Sequence, residues 1–207
     1  MLYDFLVQNF DQGEPIFISD VKINGMSEVN LRQQFKVLTD AGRLMRYENG
    51  IYYIPKVTRV KGAEGPTADT VAYRKYISRN DTVDGYYSGH TFANQLGLST
   101  QVPYKVEIVS NNIAAKKREI NIGKRVYVVR RSGVHVTEEN YRVLQLLDLL
   151  KNLDDYADEM NNETAERLAE YVRRCNMKRE DIDKYIVHFP DSTYRYFYEM
   201  RLEYVLA

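Results

Sequence analysis

Five polar side chains in one short stretch have the chemistry to read nucleic-acid bases: Ser27, Asn30, Arg32, Gln33 and Lys36. Arginine forks onto guanine, and asparagine or glutamine onto adenine, through paired hydrogen bonds at the major-groove edge. Arg43, Arg46 and Tyr47 follow closely and suit phosphate contacts, which position a protein without reading sequence. The same residues also fit an ordinary solvated helix face, or a module that binds proteins. A second set, Lys116, Lys117, Arg118, Lys124, Arg125, Arg130 and Arg131, puts seven basic residues within sixteen positions. It reads either as a second phosphate-binding surface or as edge charge that blocks strand-to-strand pairing.

Catalytic readings have less behind them. His90 has no second His, Cys or carboxylate at metal-ligand spacing, and His135 and His188 lie far off in the chain. A structural histidine is the expectation. A hydrolase or nuclease would need Asp84, His90 and Glu107 to converge. Asp154, Asp155, Asp158 and Glu159 form an acidic run without the glycine-punctuated loop and terminal Glu of a calcium site, so they read as a solvated helix end. No P-loop, dinucleotide glycine motif, zinc spacing or nucleophile–base pair occurs. The chain is expected to be no enzyme, with no cofactor and no metal.

The base-reading residues need a helix to present them. Leu31, Phe35 and Leu38 recur at i, i+4 and i+7, which sets one apolar face. Ser27 is the expected N-cap, and Gly42 stands where a left-handed C-terminal glycine belongs. Leu44–Tyr47 and Ile51–Ile54 flank Glu48-Asn49-Gly50, a strong hairpin signal. Upstream, Met1–Phe10 reads as a helix, Pro15–Ile18 as extended, and Ser19-Asp20-Val21 as the opening of a brief first helix. With Asn24-Gly25 as the turn, Glu28–Ala41 as recognition helix and Arg43–Ile54 as wing, the layout is a winged helix-turn-helix. In such modules the N-terminal half of the recognition helix enters the major groove.

The chain has 207 residues, enough for two domains. Residues 1–56 form the expected DNA-binding domain, 57–66 a Pro/Gly-containing linker, and 67–207 a mixed α/β domain that becomes helical from about 137. The fold class is therefore α+β. Within the second domain, Ser88–Leu96 reads as a helix ended by Gly97, Lys105–Ser110 as a strand, and Arg118–Ile122 with Arg125–Arg130 as a hairpin. Thr137 opens a leucine-rich helix, and Asp191 or Ser192 caps the last one. Net charge is zero, but residues 61–136 carry 12 Lys/Arg against 6 Asp/Glu, a balance of +6, while residues 137–207 carry 10 against 16, a balance of −6. Such asymmetry suits a nucleic-acid-facing part and a partner-facing part, or two domains docked by complementary charge. Tyrosine is abundant at 18, and the single cysteine, Cys175, excludes an internal disulfide and suits a reducing cytoplasm. No apolar run is long enough to span a membrane. The N-terminus carries an early Asp4 and no basic segment, unlike a signal peptide.

The run RQQFKVLTDAGRLMRYENGIYYIP resembles the helix and wing of AbiEi-type antitoxins, closing on Gly50-Ile51-Tyr52-Tyr53. The segment GYYSGHTFANQLGLSTQVPYKVEIVSNN is similar to that family's central block, and VTEENYRVLQLLDLL to the helix after it. The likeness covers roughly residues 1–150. It implies a transcriptional autorepressor and antitoxin of a type IV, abortive-infection toxin–antitoxin system. Its expected partners are double-stranded DNA of its own operator and a nucleotidyltransferase-like toxin, antagonised with or without a stable complex. The alternative is a non-catalytic interaction module whose winged helix and acidic helical tail bind proteins.

Overall fold

Apolar spacing decides which side of each N-terminal helix faces inward. In the computed structural model, which describes residues 2–56, 65–79 and 82–207, α1 (Leu2–Asn9) buries Leu2 and Leu6. β1 (Ile16–Phe17) follows, and α2 (Glu28–Asp40) buries Leu31, Phe35 and Leu38. β2 (Met45–Glu48) and β3 (Ile51–Tyr53) complete an antiparallel sheet of order β1-β3-β2. Ile16, Val21, Leu44 and Ile54 join the helices in one core, where the Phe35 and Tyr52 rings lie 4.8 Å apart.

The ends of α2 are closed as their residue types predict. Ser27 Oγ accepts from the Asn30 N–H at 3.3 Å. At the other end the Gly42 N–H donates to Thr39 O at 3.0 Å and the Arg43 N–H to Leu38 O at 2.9 Å. That paired pattern needs a left-handed residue, and Gly42 supplies it at φ +70°. The chain is thereby turned directly into β2. A register shift between Arg46 and Glu48 leaves Tyr47 as a bulge. The helix expected to open at Ser19-Asp20-Val21 is instead one 3-10 turn over Ile18–Asp20. Val21 leaves it in an extended conformation and is buried in the core, so it cannot continue a helix there.

The chain divides into two compact units, Met1–Val71 and Ala72–Ala207, so the division falls within α3 (Ala68–Tyr76). Most of the expected 57–66 linker, residues 57–64, lies outside the described residues.

In the second unit β4 (Ser78–Arg79) pairs with β5 (Thr82–Val83). The main sheet holds β6 (Gly85–Tyr87), β7 (Lys105–Ser110), β8 (Lys117–Ile122) and β9 (Arg125–Arg131) in the order β6-β7-β9-β8. α4 (Gly89–Gln95) connects β6 towards β7. β8 and β9 make the expected hairpin, yet β9 inserts beside β7 and runs parallel to it. Tyr127, Val128 and Val129 are buried in succession, as a strand covered on both faces requires. β8 exposes most of its side chains and takes the edge.

The remaining chain is helical: α5 (Tyr141–Leu150), α6 (Leu153–Tyr156), α7 (Asn162–Arg174), α8 (Arg179–Ile186) and α9 (Asp191–Glu199). α5 is the central one and buries eight of its ten residues. Its Gln145 is satisfied on both sides: Nε2 donates to Tyr87 O at 2.7 Å, and Oε1 accepts from the Tyr171 hydroxyl at 2.9 Å. Burial pushes the Tyr171 hydroxyl far above its ordinary pKa, so it stays a donor. Strand β6, α5 and α7 are thus linked through one amide. Two helix starts differ from expectation. α5 begins at Tyr141 rather than Thr137, because the Asn140 side chain holds a turn, accepting from the Thr137 N–H at 2.8 Å and donating to His135 O at 2.9 Å. Neither Asp191 nor Ser192 caps α9; Pro190 occupies the N-cap position, and Ser192 Oγ donates to Lys151 O at 2.8 Å. Among the described residues no helix is long and apolar enough to cross a membrane.

The acidic run that begins in α6 and continues past it is partly structural. Asp158 accepts from the Ser99 hydroxyl at 2.7 Å, the Thr100 N–H at 2.7 Å and the Thr100 hydroxyl at 2.8 Å. These bonds, the Thr100 N–H foremost, hold its carboxyl below the usual range. A depressed folded-state pKa gives stability that is present above the unfolded value of about 4 and lost as pH falls through the folded value. Asp158→Asn is expected to shed that part of the acid dependence. Urea midpoints measured from neutral pH downward check this: an acid limb as steep in the variant as in the parent would remove Asp158 from the account.

Candidate nucleic-acid interface

Opposite the buried Leu31, Phe35 and Leu38, helical rotation brings Val29, Gln33 and Lys36 to the outer side of α2, and all three are exposed. Asn30 and Arg32 flank them and are exposed as well. Ser27, the N-cap, is exposed one turn before Leu31 rather than on this outer face, with its oxygen engaged in the cap and its hydroxyl hydrogen left as a donor. Arg32 is lightly held by Glu28, 3.5 Å away one turn earlier, with both side chains exposed. Exposed pairs of this kind contribute little and yield readily to a better partner. Val29 was missed in reading the sequence for polar base readers, although it is 79% exposed. Its signal was positional, an apolar residue outside the i, i+4, i+7 stripe. Apolar groups on such a face contact thymine methyls.

The residues expected to form the wing are committed differently. The Arg43 guanidinium lies 4.4 Å over the Tyr3 ring of α1. Arg46 braces the hairpin turn: Nη2 donates to Asn49 Oδ1 at 2.8 Å and Nε to Glu48 O at 3.4 Å. Tyr47 is half-buried, and burial, then the Glu48 charge, raises its hydroxyl pKa and keeps it a neutral donor. Lys36 is the expected site cation for which no protein partner is found among the described residues of this unit.

In the second unit Lys116, Lys117, Arg118, Lys124 and Arg125 are all exposed, Lys116 before β8 and Lys124 in the turn to β9. They do not form one positive face. By register Lys117 shares a face with Glu119 and Arg130, whereas Arg118, Arg125 and Arg131 share the other. On the first of these faces Lys105 Nζ pairs with Glu119 Oε2 at 2.6 Å. Lys105, Lys117, Glu107 and Glu119 line one cleft with His90, so charge there is balanced. β8 is also a sheet edge, where exposed charge has the second use of blocking pairing with another chain.

A family model described as a family of unknown function, DUF6088, matches residues 4–180. The chain belongs to the DUF6088 family. A comparison with curated proteins finds no match. The DUF6088 match takes in the α2 face, the hairpin β2–β3, the whole of the four-stranded sheet and α5.

Within this DUF6088 region one basic residue of the sequence cluster leaves the surface. Arg130 points inward, where Nη2 meets Asp148 Oδ2 at 2.7 Å and Ser88 Oγ at 3.3 Å. Asp148 lies on α5 with only 5% of its side chain exposed, and its other oxygen pairs with Lys151 Nζ at 2.9 Å. Burial pulls the Arg130 pKa down, but the charge and hydrogen bond of Asp148 outweigh it and the net direction is up. An aspartate inside the leucine run of α5 was the available sign of this pair.

The three groups that a hydrolytic site would need do not meet. Only the His90 main chain reaches Glu107, its backbone N–H donating to Oε1 at 3.1 Å, while the imidazole packs edge-on against Tyr156 at 4.9 Å. Asp84 accepts from Asn112 Nδ2 at 2.9 Å, just outside the pairing of Gly85 with Ser110. That is three to four residues along β7 from Glu107, or about 10–13 Å at strand rise. Among the described residues no group of three His, Cys, Asp or Glu side chains is placed to hold a metal ion.

Proposed function

We propose that this protein is a DNA-binding transcriptional autorepressor and antitoxin of a type IV toxin–antitoxin system, acting in the cytoplasm against a nucleotidyltransferase-type toxin. The N-terminal unit then works as a winged helix, with α2 in the major groove and β2–β3 as wing. The observation that carries this reading is the exposed outer face of α2, where Asn30, Arg32, Gln33 and Lys36 surround Val29 beside a braced hairpin. The resemblance of residues 1–150 to AbiEi-type antitoxins supports the antitoxin half. Residues 1–60 hold 7 Lys/Arg and 7 Asp/Glu, so phosphate neutralisation in this unit rests on few cations.

A gel shift with the protein's own promoter at low salt tests the reading, and an unshifted promoter would overturn it. Gln33→Ala or Arg32→Ala is expected to relax sequence preference at a base position, by about 1–3 kcal/mol of discrimination. Lys36→Ala, deeper on the same face, is expected to relax preference at its base position and, as a lost cation, to reduce the salt slope by about 1. Arg46→Ala is expected to weaken all duplexes alike and to flatten the salt slope, and also to loosen the turn that Arg46 braces. Expression beside a neighbouring nucleotidyltransferase gene tests the antitoxin half: rescue of growth is the expected result. One observation favours the alternative of a protein-binding module, namely that Val29 and Val37 are 79% and 50% exposed on α2. A stoichiometric protein partner captured through this face, together with no DNA shift, would decide for it.

A further inference from the structure

The second unit contains a cavity of about 170 Å³ where β6, β7 and β9 meet α5 and the start of α9. Arg130, Lys151, His188, Tyr86 and Asp148 all contribute to its wall, as does Arg131 at the end of β9. Among the described residues Asp148 is the sole carboxylate of that wall, and it already serves two cations, one on each oxygen. One positive charge is therefore left over from Arg130 and Lys151.

Hydrogen-bonding capacity is left over too. Arg130 carries five N–H donors and spends only Nη2 on Asp148 and Ser88. Lys151 spends one of three on Asp148. Among the described residues neither side chain has a further protein partner. Tyr86 contributes a hydroxyl that burial keeps protonated. Excess positive charge with unspent donors, one of them on a rigid guanidinium, is the recognition chemistry of an oxyanion.

We infer that this cavity is a binding site for a phosphate-class oxyanion, held between Arg130 and Lys151. Size narrows the ligand. Water occupies about 30 Å³, so the space suits a few waters or one tetrahedral oxyanion. Sites that enclose a drug-sized molecule begin at about 300 Å³, so a whole nucleotide does not fit inside. The ligand is then either inorganic phosphate or the terminal phosphoryl group of a phosphoester whose remainder stays outside. This site does not depend on whether the N-terminal unit binds DNA.

Calorimetric titration of the full-length protein with inorganic phosphate, against chloride at equal ionic strength, tests the inference. Saturable one-to-one binding is expected. Lys151→Met, which leaves Asp148 paired with Arg130, should weaken it at least tenfold with the circular dichroism spectrum unchanged. His188→Glu places a negative charge at the wall without touching the ion pair, and should abolish binding even if Lys151→Met fails to fold. The double variant Lys117→Ala/Lys124→Ala on the surface hairpin should bind as the parent does. Tighter binding of glycerol phosphate than of inorganic phosphate assigns a phosphoester; the reverse order assigns the free anion. Heats equal to the chloride control, or binding retained in His188→Glu and lost in the hairpin variant, would overturn the site.

Discussion

Alanine at Asp148 is expected to lower the unfolding free energy of the second unit by about 3–5 kcal/mol, the cost of breaking a buried ion pair from one side. The carboxylate is 5% exposed and accepts from Arg130 at 2.7 Å and from Lys151 at 2.9 Å. Its removal strands the Arg130 guanidinium, itself 25% exposed, beside the apolar Leu144 and Val109 that share its cavity. Lys151 suffers less, because a long flexible stem lets its ammonium swing towards water. The damage is therefore mainly an uncompensated charge rather than lost attraction, and removing both charges should do less harm than removing one. Asp148→Leu with Arg130→Met is expected to recover most of the loss. Urea unfolding followed by circular dichroism measures both. A single-variant cost under about 1 kcal/mol would be that of a solvated surface pair and would contradict the burial of this one.

Gly85→Ala is expected to cost about 3 kcal/mol, at the upper end for overpacking a filled site. A Cβ on Gly85 would stand 2.3 Å from Tyr76 O and 2.4 Å from Val109 O. Both neighbours are backbone atoms, and Ser110 on the same strand is fixed from the other side by its hydroxyl, which donates to Tyr76 O at 2.6 Å. No rotamer change relieves such a contact, so the strand pair β6–β7 must separate or shift. Gly133→Ala is the control. Nothing lies within 4 Å of its Cβ position, and loss of unfolded-state freedom should leave it neutral or more stable by about 0.4–1 kcal/mol. Thermal unfolding of the two variants side by side gives the comparison. Equal midpoints would mean that β6 accommodates a side chain at Gly85.

Local features were legible because local chemistry sets them. Ser27 and Gly42 close α2 through bonds to residues three to five positions away, and Asn49-Gly50, with Gly50 at φ +79°, turns β2 into β3. Lys105–Ser110 has the strand bounds that its alternation implies. Where a distant group competes, local rules gave way. Ser192 donates to Lys151 O rather than capping α9, and Val21 enters the core rather than extending a helix. In the candidate interface the residue types were readable, but their commitments were not. Arg43 rests on Tyr3 of another helix, and Arg46 on its own turn.

The sequence by itself determined the helix–hairpin unit, its outward polar face and the positions of most strands, since periodicity and turn residues act over a few positions. Tertiary structure alone decided that β9 inserts between β7 and β8, parallel to one and antiparallel to the other. That choice turned Arg130 inward to Asp148, eighteen residues away. The physical reason is burial on both sides. Val-Tyr-Val-Val can be covered only in the middle of the sheet, charged β8 can afford the edge, and no spacing along the chain records which strand will lie alongside.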